Sequence, residues 1–541
     1  MAQGRRGRRK RFNGHGKRTK PTPSSTPELT EPSASPPPRA PAWMMEPPPP
    51  AADDGSWLIL DRFVHLSRRR RLGVVGGDAT ASSLAVDCAG RQIRASLRIA
   101  DPPAVSRLYL HRPDTPQIDG LISDPAAIAA HRNSILFRMS VPFEDPTWWL
   151  DTTSFPVEYL VYSCSSSSAS SPPPPPPSLT ALPPCLDGGE TDPLLDELLQ
   201  PYRCQQQRIM FNEDMGILCH GDNGEEFTVA DLTYRYRQEV DLCLLHHPPP
   251  DGIPWRWSVN RLQIPPEMNI NLRLWRTDVV VPIGRSLCWV DYYQGMLLID
   301  VVEDHQQLHY IGLPAQALKS HRPYIDPGAP DPFRRICVTD AGIIKLVCIF
   351  IEHPPPTDFT IITWTLVDIN KGAWIKDVDA IMGADEFFGL CDSAKSCLPW
   401  VRPSFPVVSL VDPDVICFLL KEKDHNISWM VEVNMRNKVL LSSALYIKEE
   451  EEEGPPSEKD RRNTFFGHSF IPTKFASYLS NDAITSRKLS ERMQKDKEEE
   501  TLQKDKEERA MQRAKERRAM QKAKEERAMQ KLISQIEGVR Y

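Results

Sequence analysis

The chain has 541 residues, 40% of them apolar, enough for two or three domains with sizeable cores. Its net charge of −6 hides two basic ends around an acidic body, so nucleic acid is disfavoured on the body and left to the ends. The longest apolar run, Ile343 to Ile351, contains Lys345 and is far too short to span a membrane.

Residues 1–54 predict a disordered segment, basic at first and then Pro-rich, because Arg, Lys, Pro and Ser offer little to bury. The run Arg5 to Arg11 fits a nuclear address or a non-specific RNA contact, and Met44 or Met45 offers an alternative start to Met1. The pattern changes at Trp57. Short strands are expected at Trp57–Leu60, Ile93–Ile99, Ser134–Met139 and Val157–Tyr162, separated by Gly, Pro and Asp, and together they define an N-terminal β region over 55–164. Residues 165–201 follow as a Ser/Pro-rich linker with a short connecting segment.

Residues 202–447 carry a loose internal repeat, read as a β-rich repeat domain. In each copy a strand ends in an Asp, a tight turn follows, and a strongly apolar strand leaves it. Phe211–Asp214 turns at Met215-Gly216, Leu287–Asp291 at Tyr292–Gly295, Ile336–Asp340 at Ala341-Gly342, and Val407–Asp412 at Pro413-Asp414. The Asp side chain can bond the backbone two residues on, and the Gly can take a positive φ. Asp214, Gly216, Asp291, Gly295, Asp340, Gly342 and Asp412 are therefore read as structural turn residues. Third strands are expected at Leu308–Leu313, Thr360–Asp368 and Ile427–Val433, and fourth strands at Gly372–Val378 and Lys438–Ser442. Such units suggest a mainly β, propeller-like or multi-sheet antiparallel body; their irregular spacing leaves a β-sandwich or two packed sheets open.

Residues 448–463 form an acidic linker, and the aromatics of 464–486 (Phe465, Phe466, Phe470, Phe475, Tyr478) are expected to pack back on the body. Residues 487–541 predict a long charged α-helix, with a nine-residue repeat beginning at Gln494, Gln503, Gln512 and Gln521 and a degenerate copy at Gln530. Nine residues advance two and a half turns, so Leu502, Met511, Met520 and Met529 alternate between opposite faces. No coiled-coil seam forms, and a single solvated helix is expected.

The block Trp289-Val290-Asp291-Tyr292-Tyr293-Gln294-Gly295-Met296-Leu297-Leu298-Ile299-Asp300-Val301, followed by Tyr310-Ile311-Gly312-Leu313-Pro314, resembles the plant family catalogued as domain of unknown function 1618. Trp57–Asp61, Tyr159–Tyr162 and Pro177–Pro183 extend the resemblance, which covers roughly residues 55–480. It implies a β-rich fold similar to propeller-like domains that accompany F-box proteins, and no established activity. The first 50 residues and the last 55 lie outside it.

The search for chemistry finds no catalytic, cofactor-binding or metal site. No G-x-S-x-G elbow, phosphate loop or G-x-G-x-x-G occurs. Cys219-His220 would lie on opposite faces of a strand, His305 and His309 fall in and after a loop, and His246-His247 precedes three prolines and reads as loop. The twelve cysteines form no C-x-x-C pair and read as reduced, buried thiols of a nuclear or cytoplasmic protein; no secretory signal is expected, so the sequon at Asn426 has no role. The tryptophans fall mostly in apolar strands and read as core rather than base-stacking groups.

The expectation is a monomeric, non-enzymatic binding or scaffold protein without cofactor or membrane contact. Its β body would recognise an unknown protein or peptide. Two alternatives stand beside it: a ubiquitin-ligase-type substrate adaptor lacking its F-box, and an RNA-associated protein that uses nucleic-acid contacts through its basic ends only.

Overall fold

Strand β14 (Ser286–Asp291) shows why this chain does not read as simple alternation: every one of its residues is buried. Leu287 and Trp289 pack with Leu218, Leu242 and Leu297 on one side, while Cys288 and Val290 pack with Ile336, Leu346 and Trp364 on the other. A strand covered on both faces needs apolar side chains at odd and even positions alike.

The computed structural model describes residues 57–479, apart from 68–79, 114–124, 142–156, 165–175, 187–207, 209, 222–225, 236–237, 251, 253, 269, 304–305, 320–330, 352–357, 394–397, 422–427 and 447–469. The fold is mainly β and is built from antiparallel sheets. Sheet III comprises β9 (Met215–His220), β10 (Glu226–Tyr234), β11 (Glu239–His247) and β12 (Ser258–Gln263). Sheet IV comprises β13 (Val279–Ile283), β14, β15 (Gly295–Asp300) and β16 (Leu308–Gly312). Sheet V contains β17 (Arg334–Val338), β18 (Ile344–Ile351), β19 (Phe359–Asp368) and β20 (Ala373–Lys376), with β21 (Met382–Gly383) against β19. Sheet VI holds β22 (Ser404–Val408), β23 (Val415–Lys421), β24 (Ser428–Asn434) and β25 (Val439–Tyr446).

The remaining nine strands form one sheet with two halves. In sheet II, β5 (Ala126–His131), β6 (Ser134–Ser140), β7 (Val157–Ser163) and β8 (Ser178–Ala181) follow in order. Sheet I mixes the ends of the described chain. Its β1 (Leu58–Ser67) runs parallel to β4 (Val105–His111) on one side and antiparallel to β26 (Ile471–Thr473) on the other, with β3 (Gln92–Arg98) and β2 (Ala85–Val86) outside β4. The halves meet at one pair of positions, Phe63 and Ala126.

The first strands touch in the cyclic order β5, β9, β13, β17, β22, β26 and back to β5. The hydrophobic clusters repeat that order, each lying between two consecutive sheets: Leu108 with Phe137 between I and II, Leu136 with Ile217 between II and III, Leu242 with Trp289 between III and IV, Val290 with Leu346 between IV and V, Ile361 with Phe418 between V and VI, and Leu419 with Ile59 between VI and I. A ring of sheets packed face to face is propeller-like, and a sandwich of two sheets does not generate it. The ring is closed by sheet I, where strands from both ends of the body pair.

Two short helices interrupt the β structure among the described residues, α1 (Ala315–Leu318) and α2 (Ala384–Ser393). The helix expected at 487–541 and the disorder expected at 1–54 lie outside the described residues.

The repeat is real, but its sequence reading slipped by one strand. Asp291 joins the second and third strands of its sheet, whereas Asp340 and Asp412 follow the first strands of theirs. The slip came from β13, whose short Val-Val-Val-Pro-Ile run carries no turn signal before it. Phe211–Asp214 is a turn rather than a strand, and Gly216 lies within β9 opposite Ala230 rather than in a turn.

Candidate functional site

The turn residues separate into different roles. Asp291 accepts the Tyr293 N–H at 2.8 Å and Asp412 accepts the Asp414 N–H at 2.9 Å, the two-residue bond that the sequence suggested. The same bond recurs at Asp61, Asp87, Asp300 and Asp331. Asp340 instead pairs with Lys474, and Asp214 turns its side chain to Thr277. Gly342 has φ +75°, the left-handed value expected of it. Gly216 and Gly295 do not; a Cβ would sit 2.5 Å from Val280 Cγ1 at the former and 2.5 Å from the Tyr310 ring at the latter. Those glycines permit close approach rather than an unusual turn. Of the seven, Asp291 and Gly295 face each other across the β14–β15 hairpin, and Asp340 bonds through its N–H to Leu410 beside the Asp412 turn at 3.0 Å.

The histidines regroup. His246 and His247 end β11 rather than lying in a loop. Thr228 Oγ1 bridges His220 Nε2 and His246 Nδ1, each at 2.9 Å, and His220 Nδ1 meets Glu226 at 3.2 Å. Thr228 is fully buried, and its hydroxyl is taken up by the two imidazoles. Cys219 does not face His220; its N–H donates to His131 Nδ1 at 2.8 Å. His309 lies on β16 with its Nε2 2.9 Å from the Ile369 carbonyl, and His305 lies outside the described residues. Among the described residues no group of three His, Cys, Asp or Glu is placed to hold a metal, and no helix is long and apolar enough to cross a membrane.

The arrangement with unspent chemistry lies at the centre of the ring, and the sequence reading missed it. Arg62, from β1 of sheet I, is buried; its Nη2 reaches the Ile128 carbonyl of β5 at 3.4 Å, and its Nη1 stands 4.0 Å from Glu213, just before β9 of sheet III. Arg335, from β17 of sheet V, is also buried and donates through Nη2 to the Phe470 carbonyl beside β26 at 2.8 Å. Arg335, Glu213, Tyr292 and Arg138 of β6 all act electrostatically on Arg62. Sheets I, III and V alternate around the ring, so side chains from all three can meet only near its axis. Burial pushes the Arg62 guanidinium below its usual value; Glu213 opposes that, and the charges of Arg335 and Arg138 add to it.

A supporting layer fixes this centre. Tyr292 is buried, donates its N–H to Asp278 Oδ2 at 2.9 Å and takes the Ile336 N–H on its hydroxyl at 3.3 Å. Arg334 donates to the Tyr292 carbonyl at 2.6 Å and lies 4.0 Å over the Tyr293 ring, whose hydroxyl reaches Asp331 at 2.5 Å. The only signal in the sequence was the pair Arg334-Arg335 opening an apolar strand, and sequence alone gave it no partner.

Residues 289–417 match the model of the family described as protein of unknown function DUF1618. The match contains the block from Trp289 and the Tyr310–Pro314 segment, so the resemblance stands there, while the rest of the quoted stretches lie outside it. No curated protein matches the chain. Among solved structures, the WD40 domain of SCAP from fission yeast is similar at 11% identity, covering 68% of this chain and 77% of that one, with a TM-score of 0.28. The Myceliophteria thermophila Cps50 (Swd1) β-propeller domain is similar at 10% identity over 63% of this chain and 80% of that one, with a TM-score of 0.25. A B. megaterium levansucrase mutant gives 9% identity, 69% and 94% coverage and a TM-score of 0.22. At these scores the likenesses carry no argument; the ring described above rests on strand pairing and packing.

Proposed function

We propose that this chain is a non-enzymatic binding or scaffold protein whose propeller-like β body presents its axial face to a protein or peptide partner. One observation carries the reading: side chains from alternate sheets of the ring converge on a polar centre whose guanidinium groups retain unused donors. Ring-shaped β scaffolds offer a rigid rim on which loops and axial side chains are held in place, and rigid presentation lowers the entropic cost of binding. The strands here supply that rigidity, since each sheet is packed against its neighbour on both faces. An adaptor role without an F-box is a special case of the same reading.

The test is a comparison of partners captured by the full chain and by the full chain carrying Arg335→Gln, each shown to be folded by circular dichroism. The reading expects a saturable partner that the variant retains at least about tenfold less tightly. A partner set unchanged by the substitution would remove the axial face from the function. RNA recovered from both proteins alike, and released by added salt, would favour the basic ends instead.

A further inference from the structure

We infer that the axial cluster of Arg62, Arg138 and Arg335 is a binding site for an oxyanion, a phosphate or a carboxylate. The guanidinium groups of Arg335 and Arg138 both act on Arg62, and Glu213 is the carboxylate that opposes them. At 4.0 Å it stands beyond hydrogen-bond distance of Arg62 Nη1. The Nε atoms of Arg62, Arg138 and Arg335 are each buried without a hydrogen-bond partner among the described residues. Buried polar groups are normally satisfied, and buried like charges are normally neutralised, so spare N–H donors on Arg62 and on the two guanidinium groups that repel it mark a missing acceptor that carries negative charge.

The geometry suits an oxyanion in particular. A guanidinium offers parallel N–H donors in a planar fork, which matches the spaced oxygens of phosphate and carboxylate. Arg62 and Arg335 are each tethered through Nη2 to a backbone carbonyl, Ile128 and Phe470, so the forks are held before any ligand arrives. The tethers use one donor group each and leave Nε free. A small apolar ligand gains nothing here, and a cation is repelled.

This inference rests on the axial geometry and does not require that the partner be a protein. The two readings fail separately: a phosphate effect without a captured partner, or the reverse, tells them apart.

The experiment uses the full chain in thermal unfolding at fixed pH and fixed ionic strength, with chloride replaced stepwise by inorganic phosphate in one arm and by acetate in the other. A saturable rise in Tm is expected, half-maximal at concentrations on the order of millimolar or below. A response confined to the phosphate arm assigns a phosphoryl group, and one confined to the acetate arm assigns a carboxylate. Arg335→Gln and Arg62→Gln should weaken the response about tenfold, while Arg261→Gln, a guanidinium on the Asp241 carboxylate of sheet III, should leave it unchanged. Should the arginine variants fail to fold, Glu213→Gln decides: removing the competing carboxylate should tighten binding severalfold. No rise beyond the chloride control in the wild type, or unchanged binding in Glu213→Gln, overturns the inference.

Discussion

The Tyr446 hydroxyl donates to Asp61 Oδ2 at 2.7 Å, joining residues 385 positions apart in the chain. Tyr446 ends the outer strand of sheet VI and Asp61 lies on β1 of sheet I, so the bond spans the seam where the ring closes. Both residues are buried, and Phe470, just before β26, stands edge-on to the Tyr446 ring with centroids 5.5 Å apart.

Tyr446→Phe tests how much that seam matters. The substitution keeps the ring and removes one donor, leaving Asp61 Oδ2 buried without the tyrosine donor. A loss of about 1–3 kcal/mol is expected from the urea midpoint at constant m-value. A loss under about 0.3 kcal/mol would mean that water replaces the hydroxyl.

The two turn glycines should fail for different reasons. Gly342→Val forces a β-branched residue to φ +75° in open space, so Gly342→Asn should recover most of the loss, about 1–2 kcal/mol. Gly295→Ala places a methyl 2.5 Å from the Tyr310 ring, so it should be rescued by Tyr310→Leu and Gly342→Val should not. Melting temperatures of the four single variants and the double variants decide the matter.

Lys345 is buried near the start of the long apolar strand β18 and pairs with Asp377 at 3.1 Å and Asp414 at 3.2 Å, the latter at the first hairpin of the next sheet. Lys345→Met should cost about 3–5 kcal/mol, because Asp377 loses the cation that neutralises it, while Asp414 keeps Arg436 at 2.6 Å. Adding Asp377→Asn and Asp414→Asn should restore part of that loss in a triple variant, which chemical denaturation would show.

Stability should depend on pH through Asp214. Burial pushes its carboxyl up to about 7; Glu213 adds to the rise, and Thr277 opposes it. The folded state therefore binds this proton more tightly than the unfolded chain does. Its contribution is complete below the usual carboxylate value of about 4 and is lost as pH rises through about 7. Glu158, pushed by burial up to about 7, acts in the same direction. His131, pushed by burial down to about 3, acts in the opposite direction up to its unfolded value of about 6.5, so the Asp214 share is read as a difference: between pH 5 and pH 8 the urea midpoint of the wild type should fall relative to that of Asp214→Asn.

The sequence by itself determined part of the strands, though not β4, β5, β10, β11, β12 or β13. The runs at Ile93–Ile99, Ser134–Met139, Thr360–Asp368 and Ile427–Val433 became strands within about a residue or two, because β-branched and aromatic residues bounded by Gly, Pro and Asp leave little else to form. The Asp turns at Asp291 and Asp412 were legible for a similar reason: a side chain bonding its own backbone two residues on needs no distant partner. Strand order was not legible. Strand β1 pairs with β4 and with β26 through contacts separated by tens to hundreds of residues, and no local pattern records them. Gly216 and Gly295 looked like turn glycines, yet what requires them is Val280 on a neighbouring sheet and Tyr310 on the next strand of the same sheet. The axial cluster was the least visible of all. Arg62, Glu213 and Arg335 are ordinary charged residues in sequence, and only the closing of the ring brings sheets I, III and V to one axis, where burial turns their charges into an unspent binding capacity.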